Sequence, residues 1–314
     1  MSIIAIDLNS SCLTAAALTN NGKGLFKEKV DLNNLAGAEV ALLIRKKIDK
    51  IFKAFESKPT EIKSIGVSVP GIYYSKTGKV WSPNINGWED YPLKEELEDH
   101  LQNKNVNLQI ASKRTCYILG EMWQGAAKGS KNAIYLSVGN GIGAGVLIDG
   151  KILHGFNDGV GAIGWLAVDK NYKKEYSEKG TFEYIASGRG ILKRANEAVK
   201  TNPDYSGILK DPNLNIDTLF RAYKLKDSIS VKTVNKTVDY WGIAAANLIS
   251  LFNPEIIVFG GYVFGPAIEL LDQIKKEALK WAQPLSAKNV KFVQSKLGQN
   301  AGLYGAGQLA RKGF

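Results

Sequence analysis

Ala133–Lys151 reads AIYLSVGNGIGAGVLIDGK, and its reading decides the fold. An apolar run, Ile134 to Val138, leads in, and a second, Val146 to Ile148, leads out to the turn Asp149-Gly150. Between them stand Gly139, Asn140, Gly141, Ile142, Gly143, Ala144 and Gly145. Two β-rich runs joined by a short glycine-rich segment predict strands connected as a hairpin. Glycines this dense let backbone N–H groups approach a ligand closely, and a row of N–H groups suits phosphate. A plain glycine-rich turn with no ligand uses the same residues and stays open as the alternative.

Upstream, Ile3 to Ile6 predicts a strand ending at Asp7, followed by the polar turn Asp7-Leu-Asn-Ser-Ser-Cys12 and a second strand, Leu13 to Leu18. An Asp at the mouth of such a hairpin resembles a phosphate-binding turn, with an ordinary N-terminal hairpin as the other reading. Val40, Leu43, Ile44, Ile48, Ile51, Phe52 and Phe55 repeat at helical spacing within 38–55. Strands are expected at 65–69 and 108–111, and helices at 93–101 and 115–127. Downstream of the glycine segment, 157–180 is irregular and a helix starts near Thr181. Val234 to Phe252 is the strongest helical pattern, stopped by Asn253-Pro254. A buried strand, Glu255 to Phe259, ends in Gly260-Gly261. A last helix near 300–310 carries a small-residue face: Ala301, Gly302, Gly305, Ala306 and Gly307. The order strand-strand-helix-strand, repeated with variation after residue 115, predicts an α/β fold of two similar halves. The expected division is 1–115, with the helix at 300–314 packing back on it, and 116–299.

At 45% hydrophobic and 23% charged residues the chain is globular. No apolar run approaches the length that crosses a bilayer, and MSIIAIDLN has neither a charged leader nor a cleavage site, so a cytoplasmic protein with no membrane partner is expected. Cys12 and Cys116 are too few for a disulfide framework or a zinc site. The net charge of +11 comes from lysines spread along the chain, which describes a solvated surface better than a nucleic-acid footprint.

Taken together, the motifs resemble the ROK family of bacterial sugar kinases and sugar-responsive repressors. The match runs through the Asp7 hairpin, Gly66 to Trp88 (GVSVPGIYYSKTGKVWSPNINGW), Leu119 to Gly129, GNGIGAG, Phe182 to Ile191, Asn253 to Gly261 and Leu297 to Ala310. The resemblance implies an actin-like, ribonuclease H-like two-domain sugar-kinase fold, with ATP and sugar meeting in an interdomain cleft. It implies nucleotide contacts at Asp7, Ser11, Gly139, Asn140, Gly141, Gly143, Gly260 and Gly261, and substrate contacts at Gly71, Asn84, Glu183 and position 113. ATP and Mg²⁺ are the cofactors it suggests, and a homodimer the assembly.

The chain departs from the family where the chemistry sits. Family kinases carry Asn-Asp before the helix at 115, the Asp being the base that takes the sugar hydroxyl's proton; here the pair is Ser112-Lys113. A protonated lysine cannot accept a proton, and lysine near its ordinary pKa is protonated at neutral pH. The family's Gly-Glu-x-Gly-His stretch, which holds sugar and a zinc ligand, reads Gly161-Ala-Ile-Gly-Trp165. The cysteine cluster that follows is replaced by residues 173–180, so no zinc is expected and the local structure falls to Phe182, Tyr184 and their packing. Trp165 reads as a core residue filling the space of the lost histidine, with stacking on a sugar face as the alternative. Glu183 is either a sugar contact or only a carboxylate at a helix start. Asn9 and Ser10 replace two glycines of the first turn, and Ser11 stands where a Thr is usual.

The expectation is therefore a kinase-like protein impaired in catalysis that binds a sugar or sugar phosphate, Lys113 and Arg114 favouring an anionic ligand. An active ATP-dependent hexose or N-acetylhexosamine kinase with a rearranged site is the second reading. A sugar-responsive regulator is the third; no DNA-binding segment is seen ahead of the first strand, so specific DNA binding is not expected.

Overall fold

The computed structural model describes residues 2–57 and 61–312. It divides into two compact units, one comprising Met1–Gly129, Lys151–Val160 and Gln299–Phe314, the other Ser130–Gly150 and Gly161–Gly298.

In the first unit, β1 (Ser2–Leu8), β2 (Cys12–Thr19) and β3 (Gly24–Asp31) form an antiparallel meander. After α1 (Gly37–Phe55), β4 (Ile62–Val69) pairs parallel to β1. A small hairpin, β5 (Ile72–Tyr74) and β6 (Lys79–Trp81), and α2 (Leu93–Leu101) lead to β7 (Asn107–Ser112), which pairs parallel to β4. The sheet order is β3-β2-β1-β4-β7. α1 buries Val40, Ala41, Ile44, Ile48, Ile51 and Phe55 on one face, the positions its 3.6-residue period marks, in a core shared with β1, β4 and Trp88. The β3 strand has no apolar run because alternate residues face solvent, so pattern reading passes over it.

The other sheet face is covered by α3 (Lys113–Gln124) and the C-terminal helix Ala301–Lys312. These two helices meet backbone to backbone: a Cβ on Gly305 would stand 1.8 Å from the Cys116 carbonyl oxygen, and one on Gly120 2.3 Å from that of Ala301. The small-residue face expected near 300–310 is thus a packing requirement. α3 lies whole within the first unit, whereas a break at residue 115 would cut it.

In the second unit β8 (Ala133–Val138) and β9 (Ile142–Ile148) are antiparallel. The glycine stretch is shorter as a loop than its composition suggests. Gly143, Ala144 and Gly145 belong to β9, paired with Ser137, Leu136 and Tyr135, and only Gly139-Asn140-Gly141 form the turn. Small residues hide the start of this strand, since they lack the side chains that reveal a β pattern. Helices α4 (Thr181–Ala186), α5 (Gly188–Lys200), α6 (Ile216–Lys224) and α7 (Ser228–Phe252) follow. α7 starts six residues before the expected Val234 because Asp227 caps it, its carboxylate accepting from Ser230 N at 2.8 Å. It ends at Asn253, in the left-handed region at φ 44°, ahead of Pro254. β10 (Ile256–Gly260) pairs parallel to β8, and β11 (Lys291–Gln294) parallel to β10. Helix α8 (Leu271–Ala278) connects them. Trp241 of α7 is fully buried against Phe264 and donates its indole N–H to the Ala186 carbonyl at 3.1 Å.

Candidate functional site

In the first unit the carboxyl ends of three parallel strands lie side by side. Asp7 stands opposite Ser68 in β4, Ser68 opposite Ala111, and Val69 opposite Ser112 in β7. Lys113, the first residue of α3, follows directly, which aims its side chain across the strand ends at Asp7. The ammonium Nζ is 2.9 Å from Asp7 Oδ1, and the two side chains are 11% and 4% exposed. Nζ also donates to Asn9 Oδ1 on the β1–β2 turn. A cation at a helix N-terminus opposes the macrodipole, so this lysine depends on the carboxylate and amide in front of it. The carboxylate is hemmed in on another side, since a Cβ on Gly302 would lie 2.5 Å from Asp7 Oδ1 and 2.9 Å from Oδ2.

The neighbouring cation behaves differently. Arg114 Nη2 donates to the Asp158 carbonyl at 3.2 Å, and burial pulls its guanidinium below the usual arginine range. Asp158, in the left-handed region at φ 57°, accepts from Ser75 N at 2.9 Å and Ser75 Oγ at 3.0 Å. Both arginine and aspartate line a groove of about 540 Å³ beside β7 that also includes Tyr73 and His154. Ser112 Oγ accepts from Tyr73 N at 2.8 Å and so pins β5 to the end of β7. Of the other expected residues here, Ser11 is exposed on the turn with its carbonyl accepting from Leu32 N, and Asn84 is exposed in the loop closed by Trp88 N to Ile85 O. Gly71, at φ 77°, has no room for a Cβ, which would be 2.0 Å from the Trp81 oxygen.

In the second unit the glycine turn is held by its own neighbours. Gly139 N donates to Gly141 O at 2.9 Å, and Gly188 N donates to Gly139 O at 2.8 Å. Glu183 takes the Ile142 N–H at 2.7 Å, and a Cβ on Gly141 would be 2.6 Å from the same carboxylate oxygen. Burial raises the Glu183 pKa, opposed by the Ile142 N–H and by Lys179 and Arg189. Glu183 sits in the first turn of α4, as its helix-start reading has it, and it also braces the glycine turn. Tyr262 donates its hydroxyl to Asn140 Oδ1 at 3.1 Å. Tyr262 and Gly188 went unread in the sequence; the signal for Tyr262 was its place directly after Gly260-Gly261. Gly261, at φ 88°, lies so close to β8 that a Cβ would be 2.2 Å from the Val138 oxygen, so this pair of glycines has a purely steric reason to exist.

Trp165 is 56% exposed, which corrects the expectation of a core tryptophan. The buried aromatics nearby in the sequence are Phe182, fully buried, and Tyr176, which meets Tyr184 and Tyr172 edge to face with centroids 5.2 and 6.4 Å apart. Rings pack by area and need no metal. Among the described residues no cluster of three or more His, Cys, Asp or Glu is placed to hold a metal ion. No described helix is long and apolar enough to cross a membrane.

A sequence profile of the ROK family matches residues 3–313. A glucokinase of Halalkalibacterium halodurans is 30% identical over 315 residues, covering 98% of this chain and 94% of that protein. The crystal structure of a ROK hexokinase from Thermus thermophilus superposes with a TM-score of 0.81 at 25% identity, covering 99% of this chain and 98% of that one. A ROK transcriptional regulator, a homologue of the Escherichia coli Mlc protein, gives a TM-score of 0.87 at 23% identity, covering 98% of this chain and 77% of that one. The chain belongs to the ROK family and has the α/β, actin-like two-domain fold of its sugar kinases.

Proposed function

We propose that this sugar-kinase-like chain binds a sugar or a sugar-phosphate-like ligand and is impaired in phosphoryl transfer. The observation that carries the reading is the ion pair between Lys113 and Asp7, 2.9 Å apart and buried on both sides. Phosphoryl transfer to a hydroxyl is mostly positioning and charge neutralisation, yet the hydroxyl proton needs an acceptor. A positioned base contributes about 10²- to 10⁴-fold. An ammonium that serves a carboxylate and donates to Asn9 has no lone pair to offer. The pair is also neutral as a unit, so Lys113 supplies little charge to an anionic ligand, and of these two neighbouring cations Arg114 is the one that, among the described residues, keeps its charge unpaired by a carboxylate.

ATP binding is the further part of the reading, supported by the glycine turn at Gly139–Gly141 and by membership of a family that includes sugar kinases. A homodimer is supported by family membership alone; gel filtration with light scattering reads it directly. The second reading, an active hexose or N-acetylhexosamine kinase, is favoured by the 30% identity to a glucokinase over nearly the whole chain.

The deciding experiment assays ADP release from purified protein across hexoses and N-acetylhexosamines, alongside calorimetry with the same sugars, their phosphates and ATP. Binding heat from a sugar or sugar phosphate without matching turnover is the expected result. Ordinary turnover of a neutral monosaccharide overturns the proposal in favour of the active kinase.

A further inference from the structure

We infer that the Lys113 ammonium stands in for a divalent cation at Asp7, so that this chain puts no metal on that carboxylate. The inference rests on the reading above, in which the nucleotide side of the protein is retained.

Mg²⁺ is a hard cation that takes oxygen ligands at about 2.0–2.1 Å in near-octahedral geometry, anchored by one or two carboxylates. Of the nucleotide positions named from the sequence, Asp7, Ser11, Gly139, Asn140, Gly141, Gly143, Gly260 and Gly261, only Asp7 carries a carboxylate. Its surroundings do not fit a metal. Among the described residues no hydrogen bond reaches Oδ1, and the charge that meets this oxygen is the ammonium 2.9 Å away. An ion on the same oxygen would share it with a cation already in contact, and like charges at that range disfavour one another strongly in a dry site. The other flank is closed by backbone, because the Gly302 Cα direction points at both carboxylate oxygens from under 3 Å of its missing Cβ. Nor is the lysine idle on its far side: it donates to Asn9, and only 11% of its side chain is exposed. One fixed positive charge therefore replaces a dissociable double one. A nucleotide held by this protein would gain nothing from metal at Asp7.

The test uses Mn²⁺ alone as the probe, followed by electron paramagnetic resonance on the full chain. Wild type is expected to show no saturable Mn²⁺ site that Asp7→Asn removes. Lys113→Ala, or Lys113→Gln should the alanine variant not fold, is expected to bind Mn²⁺ at least about tenfold more tightly than wild type, because the competing charge is gone. Adding Asp7→Asn to that variant abolishes the gain. Saturable binding to wild type that Asp7→Asn abolishes overturns the inference. So does a folded Lys113 variant that gains no site, since the lysine is then not what keeps the metal away. No substrate enters this measurement, so sugar turnover by wild type would refute the proposed impairment without touching the metal result.

Discussion

Replacing Lys113 by Met removes the charge while keeping most of the side-chain volume. The partner left behind is Asp7, whose side chain is 4% exposed and whose Oδ1 has the ammonium at 2.9 Å as its counter-charge. Breaking a buried pair from one side costs about 3–5 kcal/mol, because the remaining charge is neither solvated nor paired. For 314 residues melting together, an unfolding entropy of about 2 cal/mol/K per residue converts that loss into a fall in Tm of about 5–8 °C. Should the first unit melt alone, the smaller entropy makes the fall larger. Urea unfolding followed by tryptophan fluorescence, in EDTA so that no metal refills the gap, measures the loss. The double variant Asp7→Asn/Lys113→Met closes the cycle, since neutralising both partners leaves no stranded charge. It should lose clearly less than the sum of the two single variants. A loss below about 0.5 kcal/mol for Lys113→Met, or single-variant losses that add within about 0.5 kcal/mol, would mean that the two groups do not interact energetically and would refute the reasoning.

Other expectations follow from the same geometry. Gly302→Ala brings a methyl to within 2.5 Å of Asp7 Oδ1, and the forced shift should cost about 1–3 kcal/mol in urea melts; a neutral outcome would show that the C-terminal helix can slide away from the carboxylate. Glu183 has its pKa raised by burial, so its protonation stabilises the fold below the usual 4.5 and that contribution is lost as pH rises through the folded value. Wild type should therefore gain on Glu183→Gln as pH is lowered from 7 towards 4.5, and a stability gap that does not move with pH contradicts the burial argument. The Cys116 thiol is fully buried and pushed up to about 12 by desolvation. Against a disulfide reagent at pH 8 this thiol should react only after denaturant is added, and prompt reaction in the native protein would show that the α3 contact opens.

Much of the scaffold could be read from residues alone. α1, α2 and α7 announced themselves because each has one continuous apolar face, and β1, β4 and β10 because each carries a mostly apolar buried run. Elements without such a face stayed hidden. The edge strand β3 carries three charges in a row, Lys27-Glu28-Lys29, and α8 and β11 are short. Seven family motifs in order pointed to the right family, since the spacing of turns along a chain is a property of the chain. The site was legible only as a set of positions. Trp165 shows the limit: an aromatic in place of a histidine reads as filler, yet this one is 56% exposed while Phe182 is fully buried.

By itself the sequence determined which residues stand at the strand ends and that a lysine, Lys113, follows the last of them, because identity and order are one-dimensional facts. What that lysine does was decided in three dimensions. Residues 7 and 113 meet only because β1, β4 and β7 run parallel in register, and Gly302 arrives from the far end of the chain to crowd the carboxylate. Charge alone cannot say whether a cation waits for a ligand or has already been neutralised. A 2.9 Å approach between two buried groups can, since electrostatic energy depends on distance and on the exclusion of water, and neither is written in the order of the residues.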